Sequence, residues 1–274
     1  MASMSSWRRG AAASKGASSG PKRLGHHAFE RRSEWLGRHE RLTWLGSSCE
    51  RRWTSRSSSC VAFNLPEVGE ETSDAIRQME KCVGMLDSAT STSELMGLEG
   101  AAAAAYWPVV GALLPEGMQF ANRSKQPPRD VPNAALSFLY TILAGEAVTA
   151  LHSTGLEPCI GLLHSEADDR PALALDLMEE FRPLVVDQVV LQALRRGSIT
   201  EADARQEPPK PGVLLNKKGR EALVSAYENR MLRKTSGAIP GFTGSVRRHL
   251  YRQAQRLANA IMDPGADWTG MSYR

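Results

Sequence analysis

Valine and isoleucine are absent from the first sixty residues, and the first of either is Val61. Without them this segment cannot supply the alternating strands of a sheet or an aliphatic core. The four cysteines, Cys49, Cys60, Cys82 and Cys159, form no CxxC pair and show no metal-ligand spacing. That argues against a disulfide framework and fits a reducing compartment. The apolar runs read as broken short of a bilayer-spanning length, and mean hydropathy is −0.34, so no membrane segment is expected. A P-loop, a GxGxxG fingerprint, a nucleophile elbow and internal repeats are all missing, which removes the common signatures of nucleotide binding and serine hydrolysis.

Charge is present but unevenly spread. The chain carries a net +4 and a pI of 9.0. Residues 1–60 hold twelve Lys and Arg against four Asp and Glu, whereas the remainder holds 22 against 26. The basic pI belongs to the front of the chain and is no argument that the body binds nucleic acid. Residues 1–62 are rich in Ser, Arg, Gly and Ala, so they are expected to be disordered or only locally helical. The acid-free first twenty residues superficially resemble a transit peptide, and a basic nucleic-acid arm fits them as well.

From Ser73 onward the pattern is helical. Ala75, Ile76, Met79, Val83 and Leu86 predict a helix over Ser73–Leu86. Ser91 and Glu94 form a capping-box pattern opening a second helix that Pro108 is expected to stop after Trp107. Glu99 lies in it beside Gly97 and Gly100, either as a plain surface acid or where small neighbours let a ligand approach. After a loop, Pro132 and Asn133 open a long apolar helix, Ala134–His152, closed by Gly155. Asn133 reads as a cap or as part of a site. Further helices are expected over Ala172–Phe181, Leu184–Arg196, Arg220–Arg233 and Ser245–Met262, with polar connectors at Ile199–Pro211 and Thr235–Gly244. The fold class is therefore mainly α: a multi-helical body over residues 65–274 behind a non-globular front.

The most informative stretch is Gly161–Pro183. His164 stands at the edge of a polar loop, and Asp176 and Glu179 lie three apart on a helix that carries Leu173, Leu175, Leu177, Met178 and Phe181. Residues three apart share a helix face, and two like charges on a mostly buried face need a compensating cation. Imidazole nitrogen with carboxylate oxygens suits Mn²⁺, tolerates Mg²⁺ and does not exclude Zn²⁺. The same residues also fit a cap histidine and a solvated acidic face.

Several blocks in order resemble one family. These are LMGLEGAAAAAYW from Leu95, FANRSKQPPRDVPNAALSFLYTIL from Phe120, GLEPCIGLLH from Gly155 and RPALALDLMEEFRPLVVD from Arg170. They are followed by GSIT from Gly197, GVLLNKKGR from Gly212 and RRHLYRQAQRLA from Arg247. Over about residues 65–274 the chain is similar to the universal CRISPR-associated adaptation nuclease, the integrase that inserts new spacers. Two departures, Ala172 where serine is frequent and Leu139 where glycine is frequent, touch no expected ligand.

The resemblance implies an all-helical, metal-dependent DNA endonuclease and integrase domain. Glu99, His164 and Glu179 would bind Mg²⁺ or Mn²⁺, with Asp176 as an auxiliary acid. It further implies DNA contacts from Arg123 and Asn133 and, more weakly, from Lys125, Arg129, Arg248 and Arg252. Implied partners are protospacer and repeat DNA, a second copy of the chain and the smaller CRISPR-associated adaptation protein, with no membrane, in a prokaryotic cytoplasm. The family's N-terminal β-rich domain has no counterpart in residues 1–62. The expectation is that this segment arose from a shifted reading frame or a misassigned start. A truncated, non-catalytic remnant that binds DNA or a partner protein is the alternative reading.

Overall fold

The computed structural model describes residues 70–159, 161, 171–263 and 270–271. His164 and the expected low order of residues 1–62 lie outside that set. The described chain is mainly α, as expected. It runs α1 (Glu70–Gly84), α2 (Thr92–Ala112), α3 (Val131–Ser153), α4 (Ala172–Met178), a π-helical turn (Arg182–Asp187) and α5 (Gln188–Arg195). Then come β1 (Ala204–Glu207), β2 (Lys210–Leu215), α6 (Lys217–Leu232), β3 (Lys234–Ile239), β4 (Phe242–Ser245) and α7 (Val246–Met262).

Helix α3 is the axis. It begins three residues earlier than its apolar pattern predicts, because Asp130 is the cap and its side chain accepts from the Asn133 N–H at 2.7 Å. Gly155, at φ +77°, takes the left-handed step that ends it, and the Leu156 N–H returns to Leu151 O at 3.1 Å. Leu136, Leu139, Leu143, Ala147, Ala150 and Leu151 are buried in the hydrophobic core of the described residues. By length and composition α3 is long and apolar enough to cross a bilayer, which corrects the reading that every apolar run is too short. Here it packs against α4, α5, α6, α7, β2 and the π-helical turn, as the core helix of the fold. Arg247 of α7 grips Glu146 of α3 and Glu228 of α6 with paired hydrogen bonds of 2.8–3.1 Å, which ties three helices together.

Two other expectations need correction. Helix α2 runs through Pro108 to Ala112 rather than stopping at Trp107. Proline removes one backbone bond, but burial of Trp107, Val109 and Leu113 favours continuing the turn. The two connectors read as loops are antiparallel hairpins, β1–β2 and β3–β4, so the body is not wholly helical. Their strands are four to six residues long and largely polar, which hides the alternation.

The β1–β2 hairpin supports the loop that enters α3. Gly212 sits at φ +101°, and a Cβ there would lie 2.5 Å from Pro127 Cβ and 2.9 Å from Pro128 O. The neighbouring Val213 N–H donates to Pro128 O at 2.8 Å. Gly212→Ala combines a disfavoured φ with a steric clash. It is expected to destabilise the protein by about 1–3 kcal/mol in chemical denaturation.

Candidate metal and phosphate site

The loop from α2 to α3 is organised by one buried amide. Asn133, the third residue of α3, is fully buried. Its Oδ1 accepts from Ser124 N at 2.8 Å and from an Arg123 guanidinium nitrogen at 2.9 Å. Its Nδ2 donates to Asn122 O at 2.9 Å and to Asp130 Oδ2 at 2.8 Å. All four bonds available to the amide are made. Asn133 therefore shapes the loop, with its whole amide engaged inside the protein.

Arg123 is also held inward. Beyond Asn133 it bonds Ser124 O and, at 3.0 Å, Ser137 Oγ, and its guanidinium carbon lies 5.5 Å from the Tyr140 ring centre. Burial lowers its proton affinity below the ordinary arginine value, with the charges of Tyr140 and Asp187 opposing the shift.

The acids come from elsewhere. Helix α4 ends at Met178, so Glu179 lies in the turn after it and not inside a helix reaching Phe181. Pro183 offers no N–H, and the backbone widens into the π-helical turn, whose Leu184 carbonyl accepts from Arg230 Nε at 2.8 Å. Asp176, Glu179, Glu180 and Asp187 are all buried. Glu179 Oε1 pairs with Arg182 at 3.0 Å, and the Arg182 guanidinium stands 5.0 Å from the Tyr140 ring centre. Glu180 accepts from Gln253 Nε2 at 2.9 Å and from the Met271 N–H at 3.2 Å. Asp187 accepts from Tyr106 OH at 2.9 Å and from Tyr140 OH.

Lys125 marks where the two halves meet. Although it is exposed as a residue, protein crowded around its ammonium lowers its proton affinity below the usual lysine value. The positive charges of Arg182 and Arg123 lower it further, while Glu179 and Glu99 oppose. Glu99, half-buried on α2, and Glu179, in the turn after α4, thus act on the same ammonium. Among the described residues no group of three His, Cys, Asp or Glu comes together as a ligand cluster, and the expected third donor, His164, is not among them.

The remaining candidates sit further out. Arg129 is exposed on the loop. Arg248 and Arg252 are exposed on α7, the first 5.8 Å from the Phe242 ring centre and the second bonded to Gln255 at 3.3 Å. Sequence reasoning missed the roles of Ser137 and Tyr140. With Asn133 they stand at i, i+4 and i+7 on an otherwise apolar helix, a polar stripe that was there to be read.

Comparison with known proteins gives this arrangement a family. The model for "CRISPR associated protein Cas1" matches residues 51–229, beginning upstream of the resemblance read from residue 65. The chain belongs to the Cas1 family. It is 43% identical over 202 residues to CRISPR-associated endonuclease Cas1 1 of Thermus thermophilus, covering 73% of this chain and 60% of that protein. The chain spans 56–64% of the length of three such relatives. Among solved structures it is similar to a chain of a Cas6-RT-Cas1–Cas2 complex, with TM-score 0.74 and 27% identity, over 83% of this chain and 24% of that one. A Cas1 protein from Thermotoga maritima shares the fold, with TM-score 0.73 at 21% identity, over 87% of this chain and 70% of that one.

Asn133→Ala leaves Ser124 N, Asn122 O and Arg123 without their buried partner. It is expected to cost about 2–4 kcal/mol in denaturation and to speed amide exchange at Ser124, read by hydrogen-exchange NMR.

Proposed function

We propose that this chain carries the catalytic unit of a divalent-metal-dependent DNA endonuclease and integrase that acts in CRISPR spacer acquisition. The observation that supports it best is the match of residues 51–229 to the Cas1 family, whose relatives are named endonucleases, joined by the charge that both Glu99 and Glu179 exert at the Lys125 ammonium. Glu99 and Glu179 would hold Mg²⁺ or Mn²⁺, with His164 as a third donor and Asp176 as an auxiliary acid. The bound ion supplies charge neutralisation at the scissile phosphate. Lys125 and Arg129 would receive the flanking phosphates, and Arg248 and Arg252 would extend a sequence-independent backbone track. Arg123 and Asn133 keep the loop in register for that contact. In integration a DNA 3′-hydroxyl forms the new phosphodiester bond as the old 3′-oxygen leaves. In hydrolysis water takes the place of that hydroxyl.

The relatives are named endonucleases, and the name of one structural neighbour pairs Cas1 with Cas2. For this chain we extend that reading to a Cas2-like partner, a second copy of itself, protospacer and repeat DNA, and a prokaryotic cytoplasm. The test is cleavage of branched duplex DNA with Mn²⁺. Glu99→Ala and Glu179→Gln are each expected to lower kcat by about two to three orders of magnitude, and chelation is expected to abolish activity. Equal rates in variant and parent would leave a helical DNA-binding module without chemistry at this site.

A further inference from the structure

We propose that Tyr140 is a positioning residue whose ring couples the basic loop to the acid turn. The inference rests on the reading of Glu179 and Lys125 as parts of one reaction site. Three observations carry it.

The ring is faced by two guanidiniums that belong to different halves of the site. Arg123, 5.5 Å from the ring centre, fixes the loop next to Lys125, and Arg182, 5.0 Å away, holds Glu179 Oε1 at 3.0 Å. The hydroxyl is anchored separately, because Tyr140 OH donates to Asp187 Oδ1 while Tyr106 OH, from α2, donates to Asp187 Oδ2 at 2.9 Å. Asp187 is itself buried at the end of the π-helical turn. Tyr140 thus touches the loop, the acid turn and, through Asp187, the helix that carries Glu99.

Two cations on one ring repel each other. They are tolerated because the π-face attracts each of them and carboxylates compensate them: Glu179 on Arg182, and the Asp187 charge felt by Arg123. Removing the ring leaves the repulsion and removes the common support. Arg182 and Arg123 then move apart, and Glu179 and Lys125 move with them. Reacting groups displaced by about 1 Å can lose about 10²-fold in rate. A tyrosine that only filled space would not show this, because its loss would lower stability without touching turnover of the molecules that remain folded.

The experiment compares Tyr140→Phe, Tyr140→Leu and Tyr140→Met in the full chain, the last as a second ring-free variant should Leu not fold. Each is assayed for Mn²⁺-dependent cleavage below its melting temperature, with kcat and KM taken separately. Tyr140→Phe keeps the ring and is expected to stay within about 5-fold of the parent kcat, whereas Leu and Met fall about 10²-fold with KM changed less than about 3-fold, since affinity for DNA is spread over many phosphates. A ring-free variant that turns over at the parent rate, or a Phe variant as slow as Leu, overturns the proposal. Nitrogen-15 NMR of the arginine Nε–H groups gives a readout without DNA or metal. Ring-current shifts at Arg123 and Arg182 should persist in Phe and vanish in Leu and Met. If the parent protein cleaves nothing, the nuclease reading fails and these shifts still decide the coupling. If the shifts are unchanged by loss of the ring, the coupling fails whatever the enzyme does.

Discussion

Four carboxylates, Asp176, Glu179, Glu180 and Asp187, are buried within one stretch of chain, and an ionised carboxylate out of water must be compensated by charge or hydrogen bonds. The fold around them follows from that requirement. Glu179 has Arg182, Glu180 has Gln253 and the Met271 N–H, and Asp187 has two tyrosine hydroxyls. Arg182 lies in the adjacent π-helical turn, but the other partners come from α2, α3, α7 and the C-terminal stretch, so compensating Glu180 and Asp187 draws distant segments to one place. Apolar residues could pack there more cheaply, since buried ion pairs rarely add net stability.

Helix α3 reconciles this polar centre with a hydrophobic core. Most of its circumference is Leu and Ala in the core, while Asn133, Ser137 and Tyr140 form one polar edge. That edge faces both the basic loop and the acid turn. The helix is rigid, so the two halves of the site share a single reference. The hairpin behind the loop, held by Gly212 against Pro127, closes it from the other side.

Much of this was legible in the residues. The helix start at Ser91 followed from capping chemistry, Ser245 proves to be a cap as well, and Gly155 and Gly197 end helices where their positive φ permits it. Asp176 and Glu179 stood out because acids are rare on an apolar helix. What stayed hidden depends on contacts between segments. Pro108 inside α2 is tolerated only because buried neighbours hold the turn, and the short polar hairpins have no strong period of their own. Asn133 was legible as a polar residue at a helix entrance, but not as the hub of a loop, since its four partners are distributed over residues 122–130. The blocks that resemble the family located Glu99, which periodicity alone leaves as an ordinary surface acid.

The proposed function comes down to one physical claim, that Glu99 and Glu179 would hold a single cation. Anomalous diffraction from crystals equilibrated with Mn²⁺ measures this directly. The account predicts one peak at about 2.0–2.6 Å from a carboxylate oxygen of each residue. A map with no peak between them, with the two side chains directed into separate regions, would contradict it.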